Sequence, residues 1–180
     1  SLVSPPKEQV RPTAKISNMS SDSHIIISKN LFTETYDSTP LLTFANTFHV
    51  DFEQLKITQG PSSIVVEDNT FEGNGPLTTG IRFVDCYFDH PQFSTIVRHN
   101  DYRTVLRIYA TSSLVKLQGG AFARGDLLNI SGNTGWCGGD TAACYLVFVN
   151  MFATQNMRMI DLSHNDYFAD RGFHVATVTW

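Results

Sequence analysis

Apolar and polar positions alternate in short runs along this chain, and five of the runs end on an asparagine: 25–30, 64–69, 95–100, 128–133 and 160–165. The anchoring residues Asn30, Asn69, Asn100, Asn133 and Asn165 stand 39, 31, 33 and 32 residues apart. Three places before each stand Ile27, Val66, Val97, Ile130 and Leu162; five places before stand Ile25, Ile64, Thr95, Leu128 and Ile160. The columns between them turn polar towards the C-terminus: Ser28, Glu67, Arg98, Ser131 and Ser163 two places before, and Ile26, Val65, Ile96, Asn129 and Asp161 four places before. Period-two alternation predicts a strand with one buried face. Two places after the asparagine come Phe32, Phe71, Tyr102, Gly135 and Tyr167, so a ring usually follows each turn.

One short strand recurring in register every 32 residues or so is the mark of a repeat architecture whose units bury their apolar face by stacking. No helical period accompanies it. The prediction is an all-β chain, a right-handed parallel β-helix (β-solenoid) of about five coils over residues 24–180, with 1–23 as an extended lead-in or linker rich in Pro and Ser. A second apolar face is expected from Leu42, Ile81, Leu106 and Leu146, with Phe44, Phe83, Ile108 and Phe148 beside it. Segments 55–57 and 114–117 read as a third strand, and two sheets per coil against three stays open. The five asparagines are expected at tight corners, where Asn tolerates left-handed backbone angles and its amides stack as a ladder along the axis.

Composition narrows the function. At 180 residues and 42% hydrophobic, the chain suits one sizeable core. A net charge of −4 with no basic block argues against nucleic acid and against an anionic membrane surface. No run approaches the length of a membrane helix and no signal peptide opens the segment, so no membrane span is expected within it. Cys137 and Cys144 bracket a Gly-rich loop and form the candidate disulfide, leaving Cys86 as a buried thiol. No close Cys pair offers a metal site. The sequons at Asn18 and Asn129 are candidate N-glycosylation positions and, with the disulfide, point to an extracellular or cell-surface location.

The phrases at 64–73 and 126–135, and Trp136-Cys137 followed by Cys144, resemble the repeats of the dispersed gene family 1 surface proteins of trypanosomes. The resemblance covers about residues 24–180 and implies a segment of a longer β-helix protein, surface-associated or secreted and adhesive, with no catalytic motif to carry over. A solenoid ending at Trp180 midway through its fifth coil fits that implication.

The competing class is a carbohydrate-active β-helix enzyme, a polysaccharide lyase or glycoside hydrolase, which needs acids and bases converging on an outer face. Its candidates lie on a phrase written twice, His99-Asn100-Asp101-Tyr102 and His164-Asn165-Asp166-Tyr167, with Arg103 beside the first and Asp170 and Arg171 after the second. Solvent-facing corner residues in a repeat account for the same pattern, as they do for Arg82 and Arg107 in one outward column. His24, His49, His90 and His174 show no ligand spacing, and Trp136 and Trp180 stand isolated. The sequence therefore favours a non-catalytic surface segment with no cofactor, presenting a rigid face to a host or cell-surface protein or glycan. Uncapped ends would also allow end-to-end self-association, and an outward apolar stripe of Ile26, Val65 and Ile96 is a further docking candidate.

Overall fold

The computed structural model describes residues 14–17, 22–33, 46–73, 77–105, 111–119, 121–124, 127–138, 143–150, 160–169 and 173–178, and among them every regular element is a strand. β1 (Ala14–Ile16) comes first, within the expected lead-in. The first repeat then holds β2 (His24–Ser28), β3 (Leu31–Thr33), β4 (Asn46–Glu53) and β5 (Lys56–Ile57). The second holds β6 (Ser62–Glu67), β7 (Thr70–Gly73), β8 (Leu77–Val84) and β9 (Tyr87–Asp89). The third holds β10 (Phe93–Arg98), β11 (Asp101–Val105), β12 (Thr111–Gln118) and β13 (Ala121–Arg124). β14 (Leu127–Ser131), β15 (Thr134–Gly138) and β16 (Ala143–Asn150) follow, then β17 (Ile160–Asp161), β18 (Asp166–Ala169) and β19 (Phe173–Val178).

Each repeat delivers its strands to the same sheets in the same order. The sheet before the asparagine corners runs β17-β14-β10-β6-β2 and the one after them β18-β15-β11-β7-β3. The longest sheet runs β1-β4-β8-β12-β16-β19, and a small one runs β13-β9-β5. All pairings are parallel. Parallel neighbours cannot be joined by a tight hairpin, and here the connection between them is the remainder of one repeat.

The register explains the core. In the pre-corner sheet Ile25 pairs with Ile64, Thr95 with Ile64 and Leu128, and Ile27, Val66, Val97 and Ile130 follow one another in a second column. Ile64, Val66, Val97 and Ile130 are fully shielded, and they pack in one hydrophobic cluster with Val50 and Phe52 of β4, Phe71 of β7 and Ile57 and Phe88 of the small sheet. All four sheets therefore share a core. Stacked rings bind successive repeats: Phe32 on Phe71 at 5.1 Å, and Phe52 on Phe83 at 4.7 Å between centroids. Gly135 interrupts the ring column because Tyr167 leans into its place; a Cβ there would lie 2.5 Å from Tyr167 Cε1 and 2.6 Å from the Tyr102 carbonyl oxygen.

The second face differs from the sequence expectation. Ile81 and Phe83 pair with Val50 and Phe52 in the first repeat, and with Val115 and Leu117 in the third. Residues 114–117, expected as a third strand, thus belong to β12 of the longest sheet. Val147, not Leu146, continues the Ile81 column. Leu42, Phe44, Leu106 and Ile108 lie outside the described residues. The physical cause is the segment joining the post-corner strand to the longest sheet, which spans 34–45 in the first repeat but only 74–76 in the second. Variable connections shift the sequence offset while the hydrogen-bonded register stays fixed. No helix among the described residues is long and apolar enough to cross a membrane.

Candidate functional site

The corners between the pre-corner and post-corner sheets position the outward residues. Each corner turns on the residue before the asparagine: Lys29, Asp68, His99, Gly132 and His164 adopt φ between 53° and 64°. This corrects the expectation that the asparagines carry the left-handed angle. They are needed for their amides. Asn69 N and Nδ2 both donate to Asn100 Oδ1 at 3.0 Å, and the same pair of bonds joins Asn30 to Asn69, Asn100 to Asn133 and Asn133 to Asn165. Asn100 Nδ2 also reaches the carbonyls of Arg98 in its own turn and Val66 in the preceding repeat. Asn69, Asn100 and Asn133 are buried, so this chain of amides satisfies backbone groups that water cannot reach.

A second corner follows the longest sheet, with Gln54, Asp85 and Gly119 at positive φ. After Asp85, Cys86 takes the place an asparagine holds at the first corner: its Sγ donates to the Val84 carbonyl at 3.5 Å and to the Phe52 carbonyl of the preceding repeat at 3.3 Å. Burial, above all, raises this free thiol to about 11. Cys137, buried in β15, is disulfide-bonded. Cys144 lies in β16, and its side chain is outside those described.

The His-Asn-Asp-Tyr phrases sit on two corners separated by Gly132 and Asn133. His99 packs over Gly132, and its Nδ1 lies 3.8 Å from Asp68 Oδ1, whereas His164 Nδ1 bonds Ser163 Oγ at 2.7 Å. Asp101, Thr134 and Asp166 form one register column. Asp101 is salt-bridged to Arg103 and accepts from Thr134 Oγ1 at 3.4 Å, and Arg103 also approaches Glu72 at 3.9 Å. The two carboxylates are two strand spacings apart, about 9.5 Å, with Thr134 between them. Asp170, Arg171 and Asn18 lie outside the described residues. No group of three or more His, Cys, Asp or Glu placed for a metal ion occurs among the described residues.

The outward column beside these corners carries a feature missed in the sequence. Three places after the asparagine stand Thr33, Glu72, Arg103, Trp136 and Phe168, in register across the post-corner sheet. Phe168 is 64% exposed and Trp136 38% exposed on adjacent strands. Trp136 looks isolated along the chain because its neighbours come from other repeats; reading this column in the five-fold alignment would have found it.

Two other outward places are occupied differently. In the pre-corner sheet Ile26 is 64% exposed, with Val65 and Ile96 half-buried beside it. Further along this column Asn129 Nδ2 donates to Asp161 Oδ2 at 3.2 Å, and its Oδ1 accepts from Ser131 Oγ, the hydroxyl of its own sequon. Asp161 is held below the usual carboxylate range chiefly by the Ser163 hydroxyl, then by the Ser163 N–H. On the longest sheet Arg82 is in register with Asp51 and Lys116; Arg107, expected in the same column, lies outside the described residues. Arg82 grips buried Asp51 through Nε at 2.9 Å and Nη2 at 2.6 Å, and its guanidinium lies 3.8 Å over the Phe48 ring. Bidentate pairing and ring stacking make this a brace between β4 and β8. Burial, then the Arg82 charge, lowers Lys116 beside it. No protein family, curated protein or solved structure matches the chain.

Proposed function

We propose that the four parallel sheets close into a right-handed parallel β-helix of about five coils, and that this segment of a longer cell-surface or secreted protein presents a rigid face for adhesion. The observation that carries this reading is the set of outward columns held in register over five repeats and locked from within by the asparagine amides. A strand–crossover–parallel strand connection is right-handed in nearly all known cases, which supports the hand. Disulfide-bonded Cys137 supports an oxidising compartment. Together with the phrases at 64–73 and 126–135, these features agree with a surface protein resembling the trypanosome dispersed gene family 1.

A rigid column suits recognition because its side chains are ordered before binding and lose little freedom on contact. The test is a screen of the chain against immobilised glycans and cell-surface proteins, with a parallel assay for new reducing ends or unsaturated products, with and without calcium. Binding without turnover is the expected result. Turnover that disappears in Asp101→Ala or Asp166→Ala would replace this reading with a carbohydrate-active enzyme working at the repeated corners.

A further inference from the structure

We propose that the outward line Arg103, Trp136 and Phe168, with Asp101, Thr134 and Asp166 beside it, is a binding strip for a neutral pyranose chain. This deepens the reading of the segment as a presenting face and rests on it. Trp136 and Phe168 are both exposed and lie side by side on adjacent strands, and a contiguous exposed apolar patch rimmed by polar groups is the surface pattern of a contact site. Trp136 and Phe168 are in register on β15 and β18, so their side chains are one strand spacing apart, about 4.8 Å. A pyranose ring advances its chain by a similar length, which lets successive sugars meet successive side chains.

The chemistry around the rings selects the ligand. The C–H face of a pyranose is weakly positive and packs on the negative face of an aromatic ring. Its hydroxyl edge needs acceptors and donors close to that ring, and the adjacent column supplies Asp101, the Thr134 hydroxyl and Asp166 in register. Arg103, in register with Trp136 and salt-bridged to Asp101, adds a fixed donor. The strip holds the carboxylates Asp101 and Asp166, and Glu72, in register with Arg103 at its margin, adds a third, against the one guanidinium of Arg103 among the described residues. That balance repels uronate or sulfated chains. A second copy of this protein is the weaker occupant: two rings offer far less than the roughly 800 Å² per partner of a stable protein interface, and self-docking would bring carboxylates together.

The test titrates the full chain with cellohexaose and mannohexaose as neutral probes and hexagalacturonate as the acidic one, by calorimetry and tryptophan emission. The proposal expects a neutral hexasaccharide to bind and shift the emission, and hexagalacturonate to bind more weakly. Trp136→Ala should weaken the neutral ligand by about tenfold or more with thermal unfolding unchanged, while Trp136→Phe retains most of the affinity. Phe168→Ala, one repeat away, provides an independent variant should Trp136→Ala fail to fold. Undiminished binding in a folded Trp136→Ala or Phe168→Ala chain, or preference for hexagalacturonate, overturns the strip. If neither neutral probe binds but the chain still captures other ligands in the surface screen, the strip is wrong and the presenting-face reading stands; silence in both experiments overturns both.

Discussion

His49 lies in β4 beside the stacked rings of Phe32 and Phe71, its centroid 6.1 and 5.8 Å from theirs, fully shielded, with neither ring nitrogen hydrogen-bonded among the described residues. Burial lowers its pKa from 6.5 to about 4. The unfolded chain therefore takes up this proton first, so the stability contributed by neutral His49 is complete above pH 6.5 and drains away as pH falls towards 4. The loss approaches about 3 kcal/mol at the acid end of that window. Urea denaturation across the window should show this slope in the native chain and a much shallower one in His49→Leu. An unchanged slope in the variant would place the titrating group elsewhere. Nothing in the sequence marked His49, because its environment is assembled from β3 and β7 of two repeats.

At the scale of the element, the asparagine corner shows what was legible and why. The column could be read from the chain because the turn, its amide and the two apolar positions before it are local, and each repeat rewrites them at a fixed offset. The sequence points to the asparagine as the left-handed residue, and the structure puts that angle one position earlier. The residue before the asparagine takes the bend, whether Lys29, Asp68, His99, Gly132 or His164, and the asparagine amide bonds along the stack. Cys86 at the second corner had no asparagine to announce it. Replacing Asn100 by Ala removes the acceptor for Asn69 N and Nδ2 and the donor for Val66 O and Arg98 O, all at a buried position. Asn69 Nδ2 keeps the Ile27 and Glu67 carbonyls and Arg98 O keeps Asp68 N, so the loss falls mainly on Asn69 N and Val66 O; at about 1–3 kcal/mol for each, Asn100→Ala is expected to lose about 2–6 kcal/mol in chemical denaturation. Asn30→Ala, at an exposed corner with one amide neighbour among the described residues, should lose clearly less. Equal losses would mean that the amides act singly and not as a chain.

For the whole molecule, the parallel pairing and shared core followed from the repeat, but the second face did not. In the sequence Leu42 and Leu106 fit the alternation as well as Val50 and Val115; hydrogen-bonded register places Val50 and Val115 beside Ile81, and unequal spacing between strands conceals this from the sequence. The exposed line of Glu72, Arg103, Trp136 and Phe168 depends on the same register, since its members come from four repeats. The central claim is therefore the in-register stack, and the most direct measurement is the distance between spin labels at Leu31→Cys and Asp166→Cys, two outward positions of one column joined through Thr70, Asp101 and Thr134. Four strand spacings place the backbones about 19 Å apart. A single narrow distribution near that distance is the predicted result; a broad distribution, or a mean twice as long, would contradict the stack and every outward column derived from it.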